Sequence, residues 1–318
     1  MPEGHTIHRL AAELNRRFAG RTVGVSSPQG RFDGARQLDG TTFGRAEADG
    51  KHLLISFGPE RWVHVHLGLF GRVAFGAFGP DAAARSAAAV SRSPYAGRDI
   101  SYLSGIAGTD PDTEDTDASV VDPGEAGADG RPPPRGAVRL RLVGDGDYMD
   151  LRGPTACELF TPDDRRALTQ RLGPDPLRRD GHGEEFVARV RRRRVDIGAL
   201  LMDQTVVAGI GNVYRAELLF RHAVSPFQSG RDTDEATLIT MWDDLRVLMR
   251  AGVRTGRIVT TWPEDRERPR RRPVTRSDAH YVYKRDGLPC RRCGAEVRTQ
   301  VMAGRNLFWC PHDQSRSV

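Results

Sequence analysis

Val206-Val-Ala-Gly-Ile-Gly-Asn212-Val-Tyr214 is the stretch that decides how the second half of the chain is read. Gly209 and Gly211 break an apolar run, and from 213 to 221 apolar residues return at helical spacing. Asn212 stands where an N-cap belongs. A glycine turn feeding a helix start aims backbone N–H groups and the Asn212 amide at whatever lies in front, and a phosphate fits such a position. A plain helix cap accounts for the same letters.

Working outward, helical spacing also marks 163–171, 184–193, 197–202 and 234–255, so the chain reads as helical from about Pro162. Upstream the period changes. Residues 22–26, 41–48, 52–57, 62–67 and 72–75, and again 138–143, 147–151 and 157–160, alternate or are rich in β-formers, with glycine-containing turns between them. They predict an antiparallel sandwich, preceded by an amphipathic helix over 6–18 that Gly20 ends. Residues 76–136 are rich in Ala, Gly, Asp, Ser and Pro and close on Arg131-Pro-Pro-Pro-Arg135, a composition that predicts a largely disordered insertion. The expectation is an α+β protein. It has an N-terminal β-sandwich domain with flanking helices over 1–161, a helical domain over 162–265, a basic linker over 266–280 and a hairpin module over 281–318.

The 318 residues suit two domains with separate cores. They carry 48 Lys+Arg against 42 Asp+Glu, a net charge of +6, and the charges are segregated: 109–129 is acidic, whereas 189–194 and 266–276 are dense in arginine. Such separation favours a polyanionic partner more than the net charge does, with a solvated charged face as the alternative. No apolar run approaches the roughly 18 residues of a membrane span. The start, with Glu3 and His5, lacks the basic and apolar regions of a signal peptide, so a cytoplasmic protein without membrane contact is expected.

Three of the four cysteines cluster as Cys290-Arg-Arg-Cys293, sixteen residues, then Cys310-Pro-His312-Asp313. Paired C-x-x-C knuckles at this separation signal a structural tetrahedral zinc in a reducing compartment. Here Asp313 holds the register of the fourth thiolate and His312 adjoins it; either supplies a ligand atom. Arg305 lies between the knuckles at a predicted hairpin tip, where a guanidinium can fork onto phosphates. The fourth cysteine, Cys157, reads as a buried strand residue.

At the other end, Pro2 and Glu3 place a secondary amine and a carboxyl side by side at a helix start once Met1 is removed. An α-amino group titrates near neutrality and so is partly a free nucleophile, and proline's attack on an aldehyde-like carbon gives an iminium that keeps its charge. Removal of Met1 is all that such a dipeptide commonly signifies. Lysine usage adds a signal: Lys51 and Lys284 are the only lysines in a chain that otherwise writes positive charge as arginine. A compact, proton-exchanging ammonium at position 51 is therefore notable.

Taken together, these residues resemble the formamidopyrimidine-DNA glycosylase and endonuclease VIII family. Pro-Glu-Gly-His at the start is similar to its catalytic terminus, Gly50-Lys51-His52-Leu53-Leu54 to its lysine-bearing strand turn, and His66-Leu-Gly-Leu69-Phe70-Gly71 to the loop that fills the gap left by an extruded nucleotide. The stretch 206–214 resembles its helix-two-turn-helix, and Tyr281-Val-Tyr-Lys-Arg-Asp-Gly the lead into its zinc finger. The resemblance implies a monomeric, bifunctional glycosylase and abasic-site lyase working near the nucleoid on damaged DNA, double- or single-stranded. Pro2, Glu3 and Lys51 would be catalytic. Asn212 and Arg305 would hold phosphates, Leu69 and Phe70 would wedge into the stack, and Arg152 would face the opposite base. Leu69-Phe70 in place of a methionine-bearing loop points to oxidised pyrimidines, with 8-oxoguanine and formamidopyrimidine lesions as the alternative. A non-enzymatic damage binder would need the same basic surface without the terminus, and a tautomerase would leave the cysteines and arginine runs idle.

Overall fold

The computed structural model describes residues 2–82, 130–271 and 273–315; most of the insertion expected over 76–136 lies outside the described residues. Two compact units emerge, Pro2 with Ile7–Leu168 and Glu3–Thr6 with everything from Thr169 onward.

The first unit opens with α1 (Gly4–Phe18), whose Ile7, Leu10, Ala11, Leu14 and Phe18 are buried. The strands are β1 (Thr22–Ser26), β2 (Thr41–Thr42), β3 (Ala46–Asp49), β4 (His52–Phe57), β5 (Arg61–His66), β6 (Arg72–Ala77), β7 (Val138–Val143), β8 (Asp147–Arg152) and β9 (Ala156–Phe160), with a short helix α2 (Ala35–Leu38) after β1. They form two antiparallel sheets, ordered β2-β1-β7-β8-β6 and β3-β4-β5-β9. Val25, Leu140, Leu142, Met149 and Leu151 from the first sheet share one core with Leu53, Ile55, Val63, Val65 and Cys157 from the second. Each such side chain contributes about 1.5–3 kcal/mol by leaving water. The run 41–48, expected as one strand, is two, and they belong to different sheets. The switch occurs at Gly44, whose N–H donates to Ser56 O at 2.8 Å; a Cβ there would lie 2.5 Å from Ser56 Oγ.

After α3 (Pro162–Arg171), the second unit contains α4 (Gly183–Arg191), α5 (Ile197–Leu200), α6 (Asn212–Arg221) and α7 (Glu235–Thr255), then a hairpin of β10 (Arg298–Met302) and β11 (Arg305–Trp309). Asp234 caps α7 through Thr237 N–H, and Gly256 ends it in the left-handed region at φ 70°. The helices pack around Phe186, Val190, Leu200, Tyr214, Leu218, Met241, Leu245 and Met249. A second cluster joins Phe220 of α6 to Tyr281, Val297, Phe308 and Cys310. Fully buried Glu217 binds the two together: its carboxylate accepts the N–H groups of Tyr281, Val282 and Tyr283, each at 2.8 Å. The described residues contain no helix long and apolar enough to cross a membrane.

Candidate active site and metal centre

The glycine turn before α6 does receive an anion, but the anion belongs to the chain. Glu3 is fully buried, and its carboxylate accepts N–H from Gly211 at 3.0 Å, Val213 at 2.9 Å and Tyr214 at 3.4 Å. These are donors that the first helical turn leaves without intrahelical partners, and the helix dipole favours negative charge there. The approach requires the glycine: Gly211 is extended (φ −122°, ψ −161°), and a Cβ on it would fall 2.5–2.6 Å from Glu3 side-chain atoms. One residue on, Gly4 N–H donates to Gly209 O at 2.8 Å. His5 meets Tyr214 edge-on, ring centroids 5.5 Å apart. Burial, and then the Glu3 charge, hold the Tyr214 phenol well above its ordinary range.

Gly211, not Asn212, takes the cap position, and Asn212 is the first helical residue. Its amide Nδ2 donates to Asn306 O at 2.9 Å, and its Oδ1 accepts from Arg215. Arg215, which sequence reading did not single out, is fully buried and also donates to Met302 O at 3.0 Å. Burial lowers its guanidinium to about 10, with Glu3 opposing and Arg305 reinforcing that shift. Arg305 pairs with Met302 across the hairpin end, after Ala303 and Gly304, both at positive φ. A buried arginine thus connects the α6 start to the hairpin tip.

In the first unit, Pro2 is buried. Lys51 follows Gly50 in the turn between β3 and β4. Near it lies a histidine cluster that sequence reading also missed as a cluster. His52 Nδ1 is 2.9 Å from His64 Nε2, and His64 Nδ1 is 3.4 Å from Glu158 Oε2. The register that pairs His52 with His66 and His64 with Glu158 creates it. Burial holds His64 below its ordinary range against the pull of Glu158; burial, His64 and Lys51 lower His66.

Leu69 and Phe70 lie in the turn closed by Gly71 N–H to Leu67 O at 2.9 Å, and they are 37% and 78% exposed. Segment 153–155 backs this turn. A Cβ on Gly68 would lie 1.8 Å from Thr155 Oγ1, and one on Gly153 would lie 3.2 Å from Phe70 O. Arg152, at the end of β8, is opposite Arg72, and its Nη2 is 3.6 Å from Asp150 Oδ2. Cys157 is buried in β9 with its thiol pushed up to about 12 by burial, which leaves it inert.

Cys290, Cys293, Cys310 and Asp313 bring four ligand atoms within 4.8 Å of one another. The three thiols are free of disulfides. Cys290 Sγ is 3.1 Å from Asp313 Oδ2, and Cys293 Sγ is 3.4 Å from Cys310 Sγ. Three sulfurs and one carboxylate oxygen at this spacing fit a tetrahedral zinc with Zn–S of about 2.3 Å. His312 stays outside the cluster, its side chain 73% exposed and its Nδ1 3.4 Å from Asp313 Oδ1.

Residues 1–104 match the formamidopyrimidine-DNA glycosylase N-terminal domain, 172–263 the H2TH domain of that glycosylase, and 287–316 the zinc finger found in FPG and IleRS. Over 316 residues the chain is 42% identical to Endonuclease 8 1 of Mycobacterium tuberculosis, covering 98% of each protein. The chain belongs to the formamidopyrimidine-DNA glycosylase and endonuclease VIII family. The glycosylase is also 33% identical over 178 residues to formamidopyrimidine-DNA glycosylase of Thermus thermophilus, 56% of this chain and 61% of that relative. Its fold matches that of Lactococcus lactis Fpg, solved with DNA containing an abasic site, at a TM-score of 0.68 and 19% identity over 99% of this chain and 100% of that one. Membership makes it a DNA glycosylase of base excision repair with abasic-site lyase activity. The matched zinc finger and the four-residue cluster together are compatible with one structural zinc, which would cross-link the hairpin and take no part in the chemistry.

Proposed function

We propose that the glycosylase excises oxidised pyrimidines from DNA through a covalent intermediate on Pro2 and then cleaves the strand by β- and δ-elimination. The observation that carries this reading is the docking of Glu3 onto the start of α6, which fixes the residue adjoining Pro2 on a rigid element. The Pro2 nitrogen attacks the sugar C1′ as the glycosyl bond to the base breaks. Glu3 moves protons at the ring oxygen and the departing base. The iminium acidifies the C2′ proton, whose loss expels the 3′ phosphate, and a second elimination expels the 5′ phosphate. Water then releases Pro2.

Lys51, close enough for its charge to lower His66, acts at the lesion and its phosphate. Asn212 and Arg305 hold the backbone without reading sequence; Asn212 does so from a side chain already oriented by Arg215. Flipping the damaged nucleotide out costs a few kcal/mol, and exposed Phe70 with Leu69 fills the vacated stack. Arg152 faces the opposite base. The pyrimidine preference rests on Leu69-Phe70 and on the similarity to an endonuclease 8. The enzyme would act as a monomer at the nucleoid.

Borohydride trapping on abasic DNA tests the mechanism, using untagged protein with a native terminus. A stable cross-link mapping to Pro2 is expected; strand scission without one would favour a different nucleophile, and neither cross-link nor scission would favour a damage binder. A lesion panel tests specificity, with 8-oxoguanine turned over faster than oxidised pyrimidines as the outcome against it.

A further inference from the structure

The arginine-rich segment 266–276 is not an ordinary solvated charge run. Its two ends are tied to one another and to the zinc module. Thr260 N–H donates to Ala279 O at 2.9 Å, Thr261 Oγ1 to Asp278 O at 2.6 Å, and Trp262 N–H to Tyr281 Oη at 2.9 Å. Both arginines between the first two zinc-site cysteines grip this base: Arg291 donates to His280 O at 3.2 Å and has Nη1 3.6 Å from buried Asp278 Oδ1, while Arg292 Nε is 3.9 Å from Asp265 Oδ2. The residues flanking the segment expected as a basic linker are thus tied together.

Its internal pairing is selective. Asp265 accepts from Tyr281 Oη at 2.5 Å, Glu267 Oε1 lies 4.0 Å from Arg291, Asp278 accepts from Glu267 N–H at 3.2 Å and Thr275 Oγ1 at 3.0 Å, and Arg266 donates to Thr261 Oγ1 at 2.9 Å. What this leaves outward is mainly cationic. Arg268, Arg270 and Arg276 are exposed and have no carboxylate partner among the described residues, and the exposed acids near them are Glu264 and Glu267, the latter 4.0 Å from Arg291. Pro269 fixes φ between Arg268 and Arg270, which lowers the entropy lost on binding. Trp262 is 48% exposed, with the Arg221 guanidinium over one face of its ring at 4.2 Å. The exposed groups within the segment itself are chiefly guanidiniums, which suit a sugar-phosphate backbone. The family's domain matches stop at 263 and resume at 287, so the segment lies between them.

We infer that Arg268, Arg270 and Arg276 form a second phosphate-binding surface, gripping duplex DNA that flanks the damaged site. The inference takes DNA as the ligand from the proposed function and is independent of the covalent step. The zinc knuckle, through Arg291 and Arg292, holds the segment's flanks for that role.

The test compares the full zinc-loaded chain with the triple variant Arg268→Gln, Arg270→Gln, Arg276→Gln and with the matching triple lysine variant. Binding to a stable abasic-analogue duplex is measured across a salt series, on a long duplex and on one that ends just beyond the lesion. On the long duplex, the slope of log K against log salt should flatten in the glutamine variant by about 0.9 for each phosphate no longer neutralised, and return with lysine. The short duplex should show a much smaller change. Equal slopes for parent and glutamine variant on the long duplex would overturn the assignment. So would equal flattening on both duplexes, which would move the arginines to the lesion itself. Thermal melting and zinc content of each variant separate a weakened phosphate grip from a disrupted fold. Borohydride trapping of the parent is read separately: absent trapping with a persistent slope difference removes the covalent mechanism and leaves the arginine surface.

Discussion

Two glycine turns in this glycosylase read alike and fold to opposite ends. The turn at 206–214 presents backbone donors, and the chain's own Glu3 takes them at 2.9–3.4 Å in full burial. The turn at 67–71 presents apolar side chains, and nothing among the described residues covers Phe70, which stays 78% exposed. The first turn is satisfied within the chain; the second leaves apolar surface exposed, as the proposed wedge role requires. Glycine spacing alone does not separate the two, because the deciding partner of Gly211 lies 208 residues away.

The sharpest way to break the comparison is Glu3→Gln. The amide oxygen replaces only one of the two accepting oxygens, so some stability is lost at the α6 start, and proton transfer at the lesion goes as well; in protein shown by melting to remain folded, base excision should fall by about 10²–10⁴-fold in single-turnover assays. Near-normal excision would reduce Glu3 to a cap. Next comes Gly211→Ala. Its extended backbone tolerates alanine, so the cost comes from the Cβ that would sit 2.5–2.6 Å from Glu3. Overpacking of this kind should destabilise by about 1–3 kcal/mol in denaturant melts and depress excision by displacing the carboxylate; an unchanged midpoint would show that the docking is loose. Phe70→Ala should do the reverse. Its stability should change by less than about 0.5 kcal/mol, while affinity for a stable abasic-analogue duplex drops by about 1–3 kcal/mol. Loss of stability without loss of affinity would make the exposed ring structural and erase the contrast.

What the letters disclosed follows the same division. Local periodicity was enough for β1, whose alternate residues are buried, and for α7, where Asp234 caps and Gly256 stops the helix. The cysteine spacing was enough for the metal cluster, though only coordinates choose Asp313 over its neighbour His312. Contacts that close over long separations were not legible. The Glu3 docking, the His64–Glu158 pair and the tie from Arg291 to Asp278 each join segments with no local pattern in common. The same holds for the break at Gly44, where one β-rich run serves two sheets and Ser56 leaves no space for a Cβ at the switch. Composition signals charge in 266–276, and only the hydrogen bonds beside it reveal that its flanks are tied together.

The smallest effect expected is on pH, and it distinguishes what supports the exposed turn. His66 immediately precedes Leu67, and both His64 and His66 are held below the ordinary imidazole range, chiefly by burial. Between the lowered folded values and the unfolded value of 6.5, the unfolded chain binds more protons, so stability there rises with pH. The contribution is fully present above the unfolded value and is lost as pH falls below it, until the folded histidines also protonate. The thermal midpoint should therefore drop on acidification from neutrality. In unit two, half-buried His280 is lowered too, chiefly by desolvation, and adds to the drop. Replacing His64 with Gln keeps polarity near Glu158 and removes one titration, so the variant should lose part of the pH dependence between neutrality and the mildly acidic range. An unaltered pH profile in that variant would assign the whole effect elsewhere and leave the turn's support independent of protonation.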